Sequence, residues 1–191
     1  MVRVSSDPGS CYFYYPRLAC VLGVRDDAKG TTNFAPVTWI TPLSSDPPLF
    51  GVCLSPSTHS HHLVLKTGEF TVNFLTAEHA GLVEALGRLS GRETDKVGAL
   101  ALALDAGETL TTPSLAVAYV TAECLLVERH QIGDQTLVVG EVQGLHVAAD
   151  AFDADGVLRL DAVSPLLYLG GSRYGTTAAS VIRPADPGAA L

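Results

Sequence analysis

Two long runs of strand-forming residues, 117–130 and 136–147, flank Ile132-Gly-Asp-Gln135. Strand-rich runs of this length around a glycine-containing turn predict a long antiparallel hairpin. An isolated two-stranded hairpin is marginally stable at best, so partner strands are expected elsewhere in the chain.

Residues 18–24 (Leu-Ala-Cys-Val-Leu-Gly-Val) form a short apolar run of strand length. Arg25-Asp-Asp-Ala-Lys-Gly is a polar turn, and a second strand starts near Thr31, so these pieces predict another hairpin. The stretch from Thr32 to Leu54 reads as a strand, a proline-punctuated turn and a second strand over 49–54, because Asp46-Pro-Pro stops the first pairing. Residues 57–67 form a polar loop leading into one or two helical turns ended by Gly68. Residues 69–75 alternate, with Phe70, Val72 and Phe74 on one face. Leu82, Val83, Leu86 and Leu89 fall at helical spacing, which predicts a helix over 77–90. Residues 99–104 alternate small and large, as in a strand or a buried helix. A last apolar piece, 166–169, meets Gly170-Gly171. Roughly seven strands and two helices imply a mainly β, mostly antiparallel, closed or nearly closed barrel with peripheral helices. No glycine-rich nucleotide loop of the Gly-x-Gly-x-x-Gly or Walker type is present, which disfavours a doubly wound fold.

The chain has 191 residues, consistent with a single domain over 11–181, flanked by loose tails at 1–10 and 182–191 rich in small and polar residues. A net charge of −8 argues against nucleic acid or an anionic membrane as partner, while leaving room for a local basic pocket. No stretch approaches the roughly 20 unbroken apolar residues of a membrane span. The start of the chain has no apolar signal region, so the expected location is cytoplasmic. With 47% hydrophobic and 17% charged residues, the chain is apolar enough to suggest a buried oligomer surface. Cys11, Cys20, Cys53 and Cys124 have no Cys-x-x-Cys spacing and read as buried free thiols.

Three segments are candidates for chemistry. In Asn33, Phe34, Ala35, Pro36, Val37, Thr38 and Trp39, Pro36 removes an N–H, so the strand cannot be central and fully paired there. Its free backbone groups then suit the polar edge of a flat ring; an ordinary proline-guarded edge is the plainer reading. Ser55, Ser57, Thr58, His59 and Ser60 precede a helix, where hydroxyls and the positive end of the helix dipole suit an anion, or simply cap the helix. His59, His61 and His62 add charge when protonated, and no nearby Asp, Glu or Cys completes a metal set. In Tyr168 to Tyr174 two glycines permit close approach, Arg173 suits a phosphate or ribose edge, and Tyr174 suits ring stacking, although a turn with a surface arginine reads equally well. No Gly-x-Ser-x-Gly elbow or paired carboxylate constellation supports a hydrolase.

Five segments in order resemble the flavin reductase-like family of FMN-binding split β-barrels, in particular its flavoredoxin-type branch. They are Asn33-Phe-Ala-Pro-Val-Thr-Trp-Ile-Thr-Pro-Leu-Ser-Ser-Asp-Pro-Pro-Leu; Lys66-Thr-Gly-Glu-Phe-Thr-Val-Asn-Phe; Asp95-Lys96; Gly133-Asp-Gln-Thr-Leu-Val-Val-Gly-Glu-Val; and Pro165-Leu-Leu-Tyr-Leu-Gly-Gly-Ser-Arg-Tyr. The resemblance implies a homodimer with FMN, rather than FAD, near the subunit interface. It implies that 33–39 contacts the isoalloxazine ring, that Ser57–Ser60 forms the phosphate loop with Ser60 at the family's usual hydroxyl position, and that Lys96 belongs to the cofactor site. There are departures. Ser57 and Thr58 stand where the family often has Arg or Lys, leaving His59 or a partner-chain residue to supply charge. Gln135 stands where His is common.

On this reading the chain is an NAD(P)H:flavin oxidoreductase, with NADH or NADPH as donor and Tyr168, Arg173 and Tyr174 facing the nicotinamide or acceptor. Hydride transfer to flavin needs no protein acid or base, so no catalytic residue is assigned. A partner monooxygenase is a natural consumer of the reduced flavin. Two other readings stay open: an electron-carrying flavoprotein without its own nicotinamide turnover, and a split barrel that binds some other planar ligand.

Overall fold

The long hairpin is the spine of the molecule, whose computed structural model describes residues 13–178. Cys11 and the tails expected at 1–10 and 182–191 lie outside the described residues. The chain begins with β1 (Arg17–Leu18), β2 (Cys20–Asp26), β3 (Thr31–Val37), β4 (Ile40–Ser45) and β5 (Pro48–Leu54). Helix α1 (His59–Thr67) leads into β6 (Glu69–Phe74), a 3₁₀ turn at Ala77–His79 and helix α2 (Ala80–Arg88). A single-turn α3 (Lys96–Ala99) and the short β7 (Leu104–Asp105) and β8 (Ser114–Leu115) come next. The hairpin itself is β9 (Val120–Ile132) and β10 (Gln135–Val147), and β11 (Leu167–Gly170) and β12 (Arg173–Gly175) close the order. Gly133, at φ 58, occupies the left-handed region that the two-residue turn between β9 and β10 requires.

Seven strands make one sheet in the order β3-β2-β6-β9-β10-β5-β4, antiparallel at every step. Its two edge strands are consecutive in the chain, joined only by Thr38 and Trp39. The three Cα steps across that link reach at most about 11 Å. A flat sheet of this width would hold its edges roughly 30 Å apart. The sheet must therefore curl until its edges meet, and it does so with no ladder between β3 and β4. The result is a split β-barrel.

Both faces of the central strands are covered, which is why β2 reads as continuous apolar sequence rather than as an alternation. Cys20, Leu22 and Val24 point to one core with Val52, Phe70, Val72, Val138 and the α1 residues Leu63 and Val64. Ala19 and Val21 point to the other, with Phe34, Leu115, Leu166 and the α2 residues Val83 and Leu86. Cys20 and Cys124 are buried, Cys53 is half-buried, and all three are free thiols.

The structure departs from the expected elements in three places. The single strand read from near Thr31 to the turn at Asp46-Pro-Pro is two strands, β3 and β4, on opposite edges of the sheet, because the chain crosses the seam at Thr38-Trp39. The helix expected over 77–90 starts as a 3₁₀ turn and becomes α-helical only at Ala80. Residues 99–104 are neither a strand nor a buried helix: α3 ends at Ala99, Ala101 takes a positive φ of 50, and β7 begins at Leu104.

Between β7 and β8 the loop 108–110 is organised by Glu123, a buried carboxylate of β9. Glu123 accepts the backbone N–H groups of Glu108 (2.9 Å), Thr109 (3.0 Å) and Leu110 (2.5 Å), and pairs with His146 Nε2 at 2.7 Å. Burial alone would raise the Glu123 carboxyl, but these donors outweigh it and hold it below the usual carboxylate range.

Candidate functional site

Helix α1 starts at a hydroxyl cap. Thr58 Oγ1 accepts the N–H of His61 at 3.3 Å, and Thr58 N–H and Oγ1 both donate to the Ser55 carbonyl. The first-turn amides of His59 and Ser60 have no partner among the described residues, as a helix start leaves them. Ser60 is buried and points back to the edge strand, where Asn33 Nδ2 donates to its Oγ at 2.9 Å. Asn33 Oδ1 is buried and has no hydrogen-bond partner among the described residues. The segment at 33 and the helix start at 60 are therefore in direct contact.

Together with the end of α2 and the loop beyond it, they enclose a cavity of about 310 Å³, within the roughly 300–1,000 Å³ of small-molecule sites. From the predicted residues, Asn33, Ala35, Pro36, Ser57, Thr58, His59, Ser60 and Lys96 line it. Gly91 closes one wall, where an added Cβ would lie 1.9 Å from Asn33 Oδ1, so only glycine fits that approach. The lining holds His59, Arg92 and Lys96 and no carboxylate, a local basic pocket in a chain of net charge −8.

Each of these basic groups is held in place. His59 Nε2 pairs with Asp26 Oδ2 at 2.9 Å. Burial alone would raise the Asp26 carboxyl, but the His59 hydrogen bond and the His59 and Lys29 charges hold it below the usual carboxylate range. Arg92 donates to the Ser57 carbonyl at 2.8 Å, bridging two walls. The Lys96 ammonium is buried and donates at 2.8 Å to the carbonyls of Phe34 and Leu86. Burial lowers its pKa to about 8. Asp95, the cap of α3, accepts the N–H groups of Val97 and Gly98 and the hydroxyl of Thr31 on β3, and so fixes where Lys96 sits.

A second cavity of about 390 Å³ adjoins the first, sharing Pro36 and Gly87. Thr38, Tyr168 and Tyr174 line it, with Glu84 and Arg88 of α2. The tyrosine rings stand 5.3 Å apart, and Tyr15 meets Tyr168 edge-on at 5.3 Å. Tyr174 donates to Glu84 Oε2 at 3.0 Å; burial first, and then this carboxylate, push its hydroxyl up to about 12. It is poorly suited to give up a proton.

Other predicted residues lie apart from both cavities. The Phe34 and Val37 side chains are in the two cores. Trp39 is exposed and meets Tyr14 edge-on at 6.0 Å. Ser55 sits behind the loop, with its Oγ 2.9 Å from that of Ser57. Arg173 is exposed on β12. His61 turns away to Thr136 at 3.0 Å. Among the described residues no cluster of three His, Cys, Asp or Glu side chains could hold a metal ion, and no helix is long and apolar enough to cross a membrane.

Arg92 is the residue that sequence reasoning missed. It lies 35 positions from the carbonyl it meets, in a stretch without periodicity. It lies in the loop beyond α2, and its partner is a backbone carbonyl, so the side-chain pattern carries no signal for it.

The seam of the barrel, with a basic cavity at one edge, defines a split β-barrel with a small-molecule site beside its seam. Residues 12–177 match the family described as flavin reductase like domain, and the chain belongs to that family. It is similar to an FMN-binding protein from Thermus thermophilus, whose crystal structure holds bound 1-cyclohex-2-enone. The two are 36% identical, with a TM-score of 0.84 over 96% of this chain and 99% of that one. Flavoredoxin from Methanosarcina acetivorans shares the fold, with a TM-score of 0.85 and 22% identity over 98% of each chain. A relative named FMN reductase (NADH) RutF 2, from Methylorubrum extorquens, is 30% identical over 64% of this chain and 69% of its own length.

Proposed function

We propose that the protein binds FMN along the seam and works as a NAD(P)H-dependent flavin oxidoreductase. The observation that carries this is the 2.9 Å bond from Asn33 to Ser60 inside a cavity that has three basic groups and no acid. Such a donor set fits a monophosphate: the open amides of His59 and Ser60, hydroxyls and the Arg92 guanidinium all donate. The names of the Thermus thermophilus and Methylorubrum extorquens relatives point to the same cofactor.

In this reading Ser57, Ser60, His59 and Arg92 bind the phosphate. The edge strand at Ala35–Thr38 orients the ring, with Pro36 as the floor common to both cavities. The tyrosine-lined cavity receives the nicotinamide of NADH or NADPH and excludes water from it. When bound, FMN supplies hydride acceptance at its N5. Tyr174, held by Glu84, keeps its proton and acts by shape. Exposed Leu125, Val127, Ile132 and Leu145 on the β9–β10 hairpin support a second copy of the chain as partner. A relative from a Rhizobium strain is named as the reductase component of a resorcinol hydroxylase, which supports a monooxygenase as consumer.

The test is direct. Purified protein should bind FMN, with a bound-flavin absorbance spectrum, and should oxidise NADH or NADPH when flavin is present. Absence of FMN binding removes the proposal; binding without turnover on either nucleotide leaves an electron carrier.

A further inference from the structure

The geometry points to the β2–β3 turn as the clamp that shapes the phosphate end of the cavity, with Asp26 and Lys29 as positioning residues for FMN over unphosphorylated flavin. This rests on the reading of the cavity as an FMN site.

The turn is closed by its own backbone, Lys29 N–H donating to the Asp26 carbonyl at 3.0 Å. From it two side chains reach opposite walls. Asp26 is buried and holds His59 at 2.9 Å, at the start of α1. Lys29 Nζ donates to the carbonyls of Gly91 (2.7 Å) and Arg92 (2.6 Å), in the loop after α2. Arg92 then returns to the first wall through the Ser57 carbonyl at 2.8 Å. The contacts form a closed circuit: Asp26 to His59, the helix start to Ser57, Ser57 to Arg92, Arg92 to Lys29, and Lys29 back to Asp26.

Two consequences follow from this circuit. Lys29 fixes the backbone from which Arg92 springs and that of Gly91, which lies close against Asn33. Asp26 pins the His59 ring through its 2.9 Å contact, so a group one step behind the cavity sets the orientation of that ring. Neither residue touches the second cavity, whose lining is Pro36, Thr38, the tyrosines and α2. Loss of the clamp should therefore be felt by the phosphate and not by the ring.

The experiment compares FMN with riboflavin, which has the same ring and no phosphate. Affinities are measured by fluorescence quenching for the wild-type protein, Lys29→Met, Lys29→Arg and Asp26→Asn, with circular dichroism to check folding. The expected result is that Lys29→Met and Asp26→Asn each lower the FMN-to-riboflavin affinity ratio by about tenfold, the scale of one charge-assisted hydrogen bond. Riboflavin affinity should stay unchanged, and Lys29→Arg, which still donates to both carbonyls, should restore most of the ratio. Equal losses for both flavins, or an unchanged ratio in both variants, overturn the clamp while FMN binding stands. A wild-type protein that binds neither flavin overturns the proposed function itself. Should Lys29→Met fail to fold, Asp26→Asn and its ratio decide alone.

Discussion

The sheet has two edges, both with a proline and only two residues apart in the chain, and they are finished in opposite ways. The β3 edge is built over. Asn33 and Phe34 are buried, Lys96 donates to the Phe34 carbonyl, and Pro36 faces Gly87 of α2. The β4 edge is left open, with Thr41, Pro42 and Leu43 exposed. An edge strand exposes unpaired backbone groups, and proline is enough to blunt it. Where the edge is instead covered, the cover must satisfy those groups, and here it brings in buried polar side chains. The basic cavity is a by-product of covering one edge and not the other.

Four measurements test that contrast, from the largest expected effect to the smallest. Lys96→Met leaves two buried carbonyls without a donor, and each such loss costs about 1–3 kcal/mol. The expected destabilisation in urea unfolding is therefore about 2–4 kcal/mol; a change under about 1 kcal/mol would mean that β3 needs no cover. Gly91→Ala forces a methyl group onto Asn33 Oδ1 and is expected to cost about 1–3 kcal/mol, as overpacking does. Unchanged melting would show that this wall yields.

The third measurement is a pH dependence. Burial lowers the Lys96 pKa from 10.5 to about 8 in the folded protein. Between those values the unfolded chain binds more protons, so stability should rise with pH in that window. A neutral amine still has two N–H groups for its two carbonyl partners. Between pH 7.5 and 9.5 the wild-type protein should gain roughly 1–2 kcal/mol over Lys96→Met, under a ceiling of about 1.4 kcal/mol per pH unit. A parallel pH profile for the two would place the charge elsewhere. The smallest effect belongs to the open edge. Thr41→Val on β4 should shift stability by less than about 0.5 kcal/mol, and a larger shift would mean that this edge is partnered after all.

Sequence patterning made the architecture legible where its physics is local. Gly133 announces the hairpin turn, and Phe70, Val72 and Phe74 announce the face of β6. The separation of β3 from β4 was hidden because Trp39-Ile40-Thr41 continues a strand-like composition, and only the pairing with β5 reveals the crossing. For the site, the hydroxyls before α1 and the proline in β3 marked the two segments that meet. That Ser60 turns inward to Asn33, 27 positions away, depends on the intervening chain folding back, and no periodicity encodes that. Lys29 and Arg92 were out of reach for the same reason. Their partners are backbone carbonyls, which every residue carries, so nothing in the side-chain pattern distinguishes them.

The Thr38-Trp39 link has one further consequence. It acts as a covalent hinge pin of fixed length, tied to β5 through the bond from Cys53 N–H to the Trp39 carbonyl. The separation of β3 from β4 at that point is thus set by chain length. Splicing extra residues in at that point would let the two edges part while leaving every side chain of the basic cavity in place, since that lining comes from β3, the helix starts, the end of α2 and the loop after it.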